Sequence, residues 1–261
     1  MNYQMIEIEV RSSVAHVWIN RPHLHNAFDE TTIAELTEVF DRLDRNQAVR
    51  VVVLGGRGKS FSAGADLGWM QRAATASEAD NIRDALAFAK MLQALDRLSK
   101  PTVARVHGAA IGGGMGLVAA CDIALAAPSA TFGTTEVRLG LAPAVIAPYV
   151  VRAVGERNAR RCFLTGERIS AAEAFRMGML HEVCAGDALD PRIDEIVGLL
   201  LLGAPDAQGS AKKLVSVVAK REIDADLIAE TARAIAQLRA GAEAREGIAA
   251  FLGKRRPGWH P

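Results

Sequence analysis

Apolar and polar positions along the chain change period several times, and each change predicts an element. Tyr3 to Val10 and Val14 to Asn20 are β-rich runs parted by Arg11-Ser12-Ser13, which predicts a hairpin. Arg21-Pro22 ends the second run. Beyond Asp29, a fair N-cap, Ile33, Leu36, Val39, Phe40 and Leu43 recur at helical spacing. Val49 to Leu54 is a continuous apolar run of strand length, as a parallel strand covered on both faces requires. Ser77 opens another helix, whose stripe Ile82, Ala85, Leu86, Ala89, Leu92, Leu95 and Leu98 is expected to face the core. Pro101 stops it, and Pro101 to Val106 and Ile123 to Ala127 read as short buried strands. From Ala159 onward the pattern is helical, over Ala171 to Met177, Ala207 to Lys220, Asp224 to Arg239 and Ala242 to Leu252. Strands alternating with helices predict an α/β fold with parallel pairings and a helical tail. The expected division is 1–200 for the core and 201–261 for the tail, with the softest boundary near Leu201 to Pro205.

The candidate chemistry begins where the strand before Val106 opens into His107-Gly108-Ala109-Ala110-Ile111-Gly112-Gly113-Gly114-Met115-Gly116. Glycine lets a backbone approach a ligand closely. A helix starting just beyond such a loop aims unpaired N–H groups and the positive end of its dipole at whatever sits there. That is a place to stabilise an anion. A glycine-rich strand-to-helix turn alone reads first as tight helix–sheet packing. A second loop of similar character, Phe61-Ser62-Ala63-Gly64-Ala65-Asp66, also follows a strand.

FSAGAD, HGAAIGGGMGL, CDIALAAPSATFG and TEVRLGL, in this order and spacing, resemble the enoyl-CoA hydratase/isomerase (crotonase) family from about Ile6 to Pro257. The resemblance implies a ClpP/crotonase-like ββα spiral core with a C-terminal helical region that assembles trimers, often paired into hexamers. It implies an oxyanion hole made by the N–H groups of Ala65 and Gly113, holding the enolate of a coenzyme A thioester. It makes Glu136 the acid/base, where the residues alone would read as a helix-capping glutamate. Coenzyme A contacts are implied near Ala63, Asp66 and Leu67, at Arg21 for the phosphates, and at Phe251 and Lys254, which often serve a neighbouring subunit. No further cofactor and no metal are implied.

One position departs from the pattern: the family's first hydratase glutamate falls on Gly116. A single carboxylate suits a Δ3-Δ2 enoyl-CoA isomerase, in which one base moves a proton between C2 and C4. The segment GLAPAVIAPYVVRAVGERNARR (Gly140 to Arg161), together with GGGMGL and FSAGADLGWM, instead resembles a bacterial subgroup of methylglutaconyl-CoA and isohexenylglutaconyl-CoA hydratases. Their substrates carry an additional carboxylate, which Arg138 would meet if it faced the pocket; a surface arginine is the plain alternative. Hydration of a 2-enoyl-CoA is therefore the leading expectation. Isomerisation follows within the fold, and a non-catalytic acyl-CoA-binding protein is the alternative of another class.

Composition narrows the remaining options. The 261 residues are half hydrophobic and 23% charged, an ordinary globular make-up. With 31 basic and 30 acidic residues, nothing argues for nucleic acid or a membrane surface. Three cysteines without a CxxC argue for a reducing compartment. With neither a signal-like nor a transit-like start, this makes a cytoplasmic protein the expectation. Gly58-Lys59-Ser60 resembles the end of a phosphate-binding loop, but the glycine such a loop starts with falls on Val53. There is no GxSxG, HExxH or dinucleotide fingerprint in context.

Overall fold

The computed structural model describes residues 3–260; the outermost ends of the two expected regions, 1–2 and 261, lie outside the described residues. Two strands open the chain, β1 (Ile6–Arg11) and β2 (Val14–Ile19), paired antiparallel with Arg11 opposite Val14. Ser12 and Ser13 both take positive φ, 47° and 66°, the backbone that a two-residue turn matched to strand twist requires. Asp29 caps α1 (Glu30–Arg45), its Oδ1 accepting the Thr32 N–H at 2.8 Å. Ile33, Leu36, Val39, Phe40 and Leu43 are buried on one face. Burial of each such side chain contributes about 1.5–3 kcal/mol.

The chain continues through β3 (Val51–Gly56), α2 (Leu67–Thr75), α3 (Glu78–Asp96), β4 (Thr102–Val106), β5 (Ala109–Ile111) and α4 (Gly113–Ala120). It then forms β6 (Ile123–Ala126), β7 (Thr131–Gly133), α5 (Ala147–Thr165), β8 (Arg168–Ser170), α6 (Ala171–Arg176) and β9 (Glu182–Val183). Last come α7 (Leu189–Leu202), α8 (Pro205–Val218), α9 (Ala225–Ala240) and α10 (Ala242–Leu252). A six-stranded sheet runs β1-β2-β3-β4-β6-β9 and is parallel from β2 onward. The continuous apolar run of β3 explains itself: Val52 and Leu54 point into the core shared with α1, α3 and α4, while Val51 and Val53 point at α7. A three-stranded sheet, β5-β7-β8, stands beside it.

Three expectations need correction. The stripe on α3 faces the core only from Met91 onward; Ile82 and Leu86 are each 53% exposed, because the first turns of this helix run out past the core. Helix begins at Ala147 rather than Ala159, since Pro148 sits in the first turn, where its missing N–H costs nothing. The helices α2 and α7, the three short strands of the small sheet and β9 are additional to the expected elements. The tail packs on the core through Arg50, whose Nη1 donates to Trp259 O at 2.9 Å, and through the Lys212–Asp122 ion pair at 2.8 Å. No helix among the described residues is long and apolar enough to cross a membrane.

Candidate active site

The two glycine loops are laced together by backbone. Ser62 N–H donates to Ala109 O, and Ile111 N–H returns to Ser62 O, both at 2.9 Å. Ser62 Oγ donates to Asn26 O at 2.8 Å, which fastens the same loop to the turn before α1. Phe28 N–H donates to Gly64 O and Asp66 N–H to Phe28 O, at 2.7 and 2.8 Å. Ala65 is thus held on both sides while, among the described residues, its own N–H donates to nothing. Gly113 is the first residue of α4, and its N–H likewise has no acceptor. Every residue of α4 is buried, so this helix is fixed by apolar packing all round.

Two glycines make the close approach. Gly64 has φ +89° and Gly112 φ +53°, both in the region that favours glycine. A Cβ on Gly112 would stand 4.0 Å from Gly64 Cα and 3.1 Å from Glu136 Oε1. Residues 64, 112 and 136 therefore meet at one point, with Ala65 and Gly113 each one residue beyond it. A Cβ on Gly113 would fall 2.8 Å from both Phe28 Cε2 and Phe88 Cζ, so these two rings bound the space over the amide.

Glu136 lies in a 3-10 turn, Thr135–Leu139, closed by Gly140 in the left-handed region. It caps nothing with its side chain. Buried Thr134 anchors the turn by donating to Cys162 O at 3.0 Å. Glu136 Oε2 is buried without a hydrogen-bond partner, and no cation pairs with the carboxylate among the described residues. Burial holds its pKa above the ordinary carboxylate value, opposed only by its own backbone N–H. A lone carboxyl group of raised pKa beside two unused amides can take up and give back a proton next to a developing anion.

One turn along α4 the environment is different. A Cβ on Gly116 would lie 2.3 Å from Ile146 Cγ2 and 2.9 Å from its Cβ, with Leu92 Cδ1 at 3.8 Å. An apolar side chain occupies this space.

The other expected contacts divide. Ala63, Ala65 and Leu67 are exposed at the rim of the loop. Arg21 is only 6% exposed, with Nη2 at 3.0 Å from Asp29 and 3.3 Å from Asp66, and Nη1 on Ala27 O. Its charge is spent inside the protein, a different task from the implied phosphate contact. Asp66 likewise uses its carboxylate internally, on Arg21 and on the Trp69 N–H as the cap of α2. Arg138 is exposed and packs where a Cβ on Gly166 would stand, at the end of α5, which answers to the surface reading. Phe251, 82% exposed, and Lys254 stand apart at the end of α10, which packs on α9. Phe28, Phe88 and Ile146 are additions: nothing in the local pattern distinguishes them from core residues.

A family model described as enoyl-CoA hydratase/isomerase matches residues 9–261. The chain belongs to this family. It is 34% identical to a crotonyl-CoA hydratase of Syntrophomonas wolfei over 258 residues, covering 98% of each chain. It is 30% identical to a trans-2-decenoyl-(acyl-carrier-protein) isomerase of Streptococcus mutans over 262 residues, again covering 98% of each. The crystal structure of an enoyl-CoA hydratase from Shewanella pealeana superposes with a TM-score of 0.96 at 39% identity, over 98% of this chain and 96% of that one. The fold is the crotonase fold, with its C-terminal helical region.

Proposed function

We propose that the chain hydrates a 2-enoyl-CoA thioester to the 3-hydroxyacyl-CoA, using Glu136 as the one acid/base and the Ala65 and Gly113 amides as the oxyanion hole. The observation that carries this is the buried, unpaired Glu136 carboxyl beside Gly112, next to two amides with no internal acceptor. In this reading water adds to C3 and Glu136 takes its proton. The electron pair of the C2=C3 bond moves onto the thioester oxygen, where both amides donate to it. Glu136 then returns the proton to C2, and the carboxylate is regenerated. Removing one such donor costs roughly 3–4 kcal/mol of barrier.

Exposed Ala63 and Leu67 offer backbone at the loop rim to coenzyme A, while Arg21 and Asp66 hold that loop from inside. Phe251 and Lys254 would serve the ligand of a neighbouring subunit in a trimer or hexamer. A branched substrate of the 3-methylglutaconyl-CoA type, turned over in the cytoplasm, is the favoured substrate branch. The Gly116–Ile146 contact favours a second reading. With an apolar side chain where a further carboxylate would stand, Glu136 alone moves a proton from C2 to C4, as an enoyl-CoA isomerase requires.

Absorbance at the conjugated enoyl-thioester band separates these readings, with crotonyl-CoA, 3-methylglutaconyl-CoA and a 3-enoyl-CoA in separate reactions. Decay with a conjugated substrate, and a 3-hydroxyacyl-CoA found by mass, supports hydration. A rise with the 3-enoyl-CoA and no hydration supports the isomerase. Binding of all three without turnover would make the protein an acyl-CoA binder.

A further inference from the structure

His107 lies between the large sheet and the first loop, and its two ring nitrogens have partners that fix its protonation. Nε2 is 2.8 Å from Gly58 O, which can only accept, so Nε2 carries the hydrogen. Nδ1 is 3.1 Å from Arg105 Nη1, which can only donate, so Nδ1 is bare. The imidazole is therefore neutral. The backbone of the same residue grips the same loop: His107 O accepts the Phe61 N–H at 2.9 Å. The next residue, Gly108, has φ +60°, and a Cβ there would sit 2.0 Å from Lys59 O. From this grip the lacing of Ser62 onto Ala109 and Ile111 runs on to Gly64 and Ala65.

We infer that His107 is a positioning residue for the first oxyanion amide: as a neutral imidazole it holds the segment 58–61 whose continuation sets the Ala65 N–H. The inference rests on the assignment of that amide under the proposed function. A proton added to Nδ1 would face the Arg105 guanidinium, which Asp190 on α7 holds in place through Nη2 at 2.9 Å. The ring must then swing, and swinging gives up Gly58. Burial, the largest influence, and Arg105 lower the pKa of His107, while the Gly58 carbonyl and Asp190 raise it; burial prevails. The ring borders a cavity of about 550 Å³, into which Arg105 reaches from its own strand, His16 from β2, Glu9 and Arg11 from β1, Arg57 from the loop, and Asp190 and Asp194 from α7. The neutral form is thus kept above the ordinary histidine pKa and lost as pH falls through the lowered one.

The test pairs His107→Gln, whose amide N–H reaches about as far as Nε2 and does not titrate, with His107→Ala. On whichever thioester the wild type turns over, His107→Ala should lower kcat about tenfold with KM changed less than threefold, and His107→Gln should restore most of it. The wild-type rate should fall at acid pH with two protons, and that of His107→Gln with one. Deuterium exchange of amides 58–65, corrected for intrinsic rates, gives a readout independent of turnover. It should quicken at acid pH in the wild type and stay level in His107→Gln. Equal exchange in the wild type and both variants at every pH would overturn the inference whatever the substrate. The predicted exchange without any turnover would leave the positioning intact and remove the proposed function instead. Should His107→Ala not fold, the pH dependence of His107→Gln decides alone, and an unchanged two-proton fall overturns the inference.

Discussion

Gly112, the N-cap of the buried helix α4, and Gly116, one turn along it, have opposite surroundings. At Gly112 a Cβ would abut Glu136 Oε1, 3.1 Å away, and among the described residues the neighbouring amides have no acceptor. At Gly116 the place of a Cβ is already filled by the branched body of Ile146, 2.3 Å away. In the proposed reading the first glycine leaves the Glu136 carboxyl clear to react; the second makes room for Ile146. On that reading a helix of eight buried residues has the site at its N-terminal end and close packing one turn further on, and only the surroundings tell the two glycines apart.

The sharpest way to break this contrast is to put a side chain on Gly113, the residue after Gly112 that carries the second amide. Gly113→Val should drive its side chain into Phe28 and Phe88 and displace the amide, lowering kcat by roughly 10²–10³-fold, the usual loss of an oxyanion donor. Steady-state kinetics with the thioester found by absorbance checks it; a variant within threefold of wild type would detach Gly113 from the chemistry. Filling the space at Gly116 should instead cost stability. Gly116→Ala is expected to destabilise by about 1–3 kcal/mol in urea unfolding, as overpacking does. Adding Ile146→Ala should cost less than the sum of the two single changes, because the two side chains compete for one space. Strict additivity would show that Ile146 yields freely.

The smallest expected effect concerns Glu136 as a burden on the fold. Its folded pKa is raised, so the stability it lends is fully present below its unfolded value of about 4.5 and lost as pH rises through the folded one. Glu136→Gln should therefore melt higher than wild type near neutral pH, by about 1–3 °C. The difference should shrink as pH falls toward that of the protonated carboxyl. Thermal melts at several pH values measure this directly, and a lower melting temperature at neutral pH would show the ionised carboxylate to be stabilised by something other than burial.

How much of this could be read from the chain depends on the range of the interaction involved. The hairpin and the Asp29 and Ser77 caps rest on contacts within a few residues, and the buried parallel strands, though they pair across long stretches of chain, show as continuous apolar runs, so the local pattern carries all of these. The strands of the small sheet are three residues each, too short to show a period, so the second sheet was not legible. The outer turns of α3 carry an apolar stripe that nothing among the described residues covers, which periodicity cannot distinguish from a core face. At the site, the glycine loops announce themselves through backbone demands. Glu136 stood out only through the family resemblance, since Thr-Thr-Glu reads locally as the start of a helix. Ile146 is thirty residues from Gly116, and the buried Arg21 is bound to Asp66 from forty-five residues away. Neither distance leaves a local trace.

The measurement that bears most directly on the account compares wild type and Glu136→Gln in D₂O, following binding of the enoyl-CoA thioester and the mass of the product. The wild type is predicted to yield product carrying solvent deuterium on carbon. The variant is predicted to bind the thioester within about threefold of wild type and to turn it over at least 100-fold more slowly. Turnover by Glu136→Gln at the wild-type rate, with deuterium still delivered to carbon, would contradict Glu136 as the group that moves the proton.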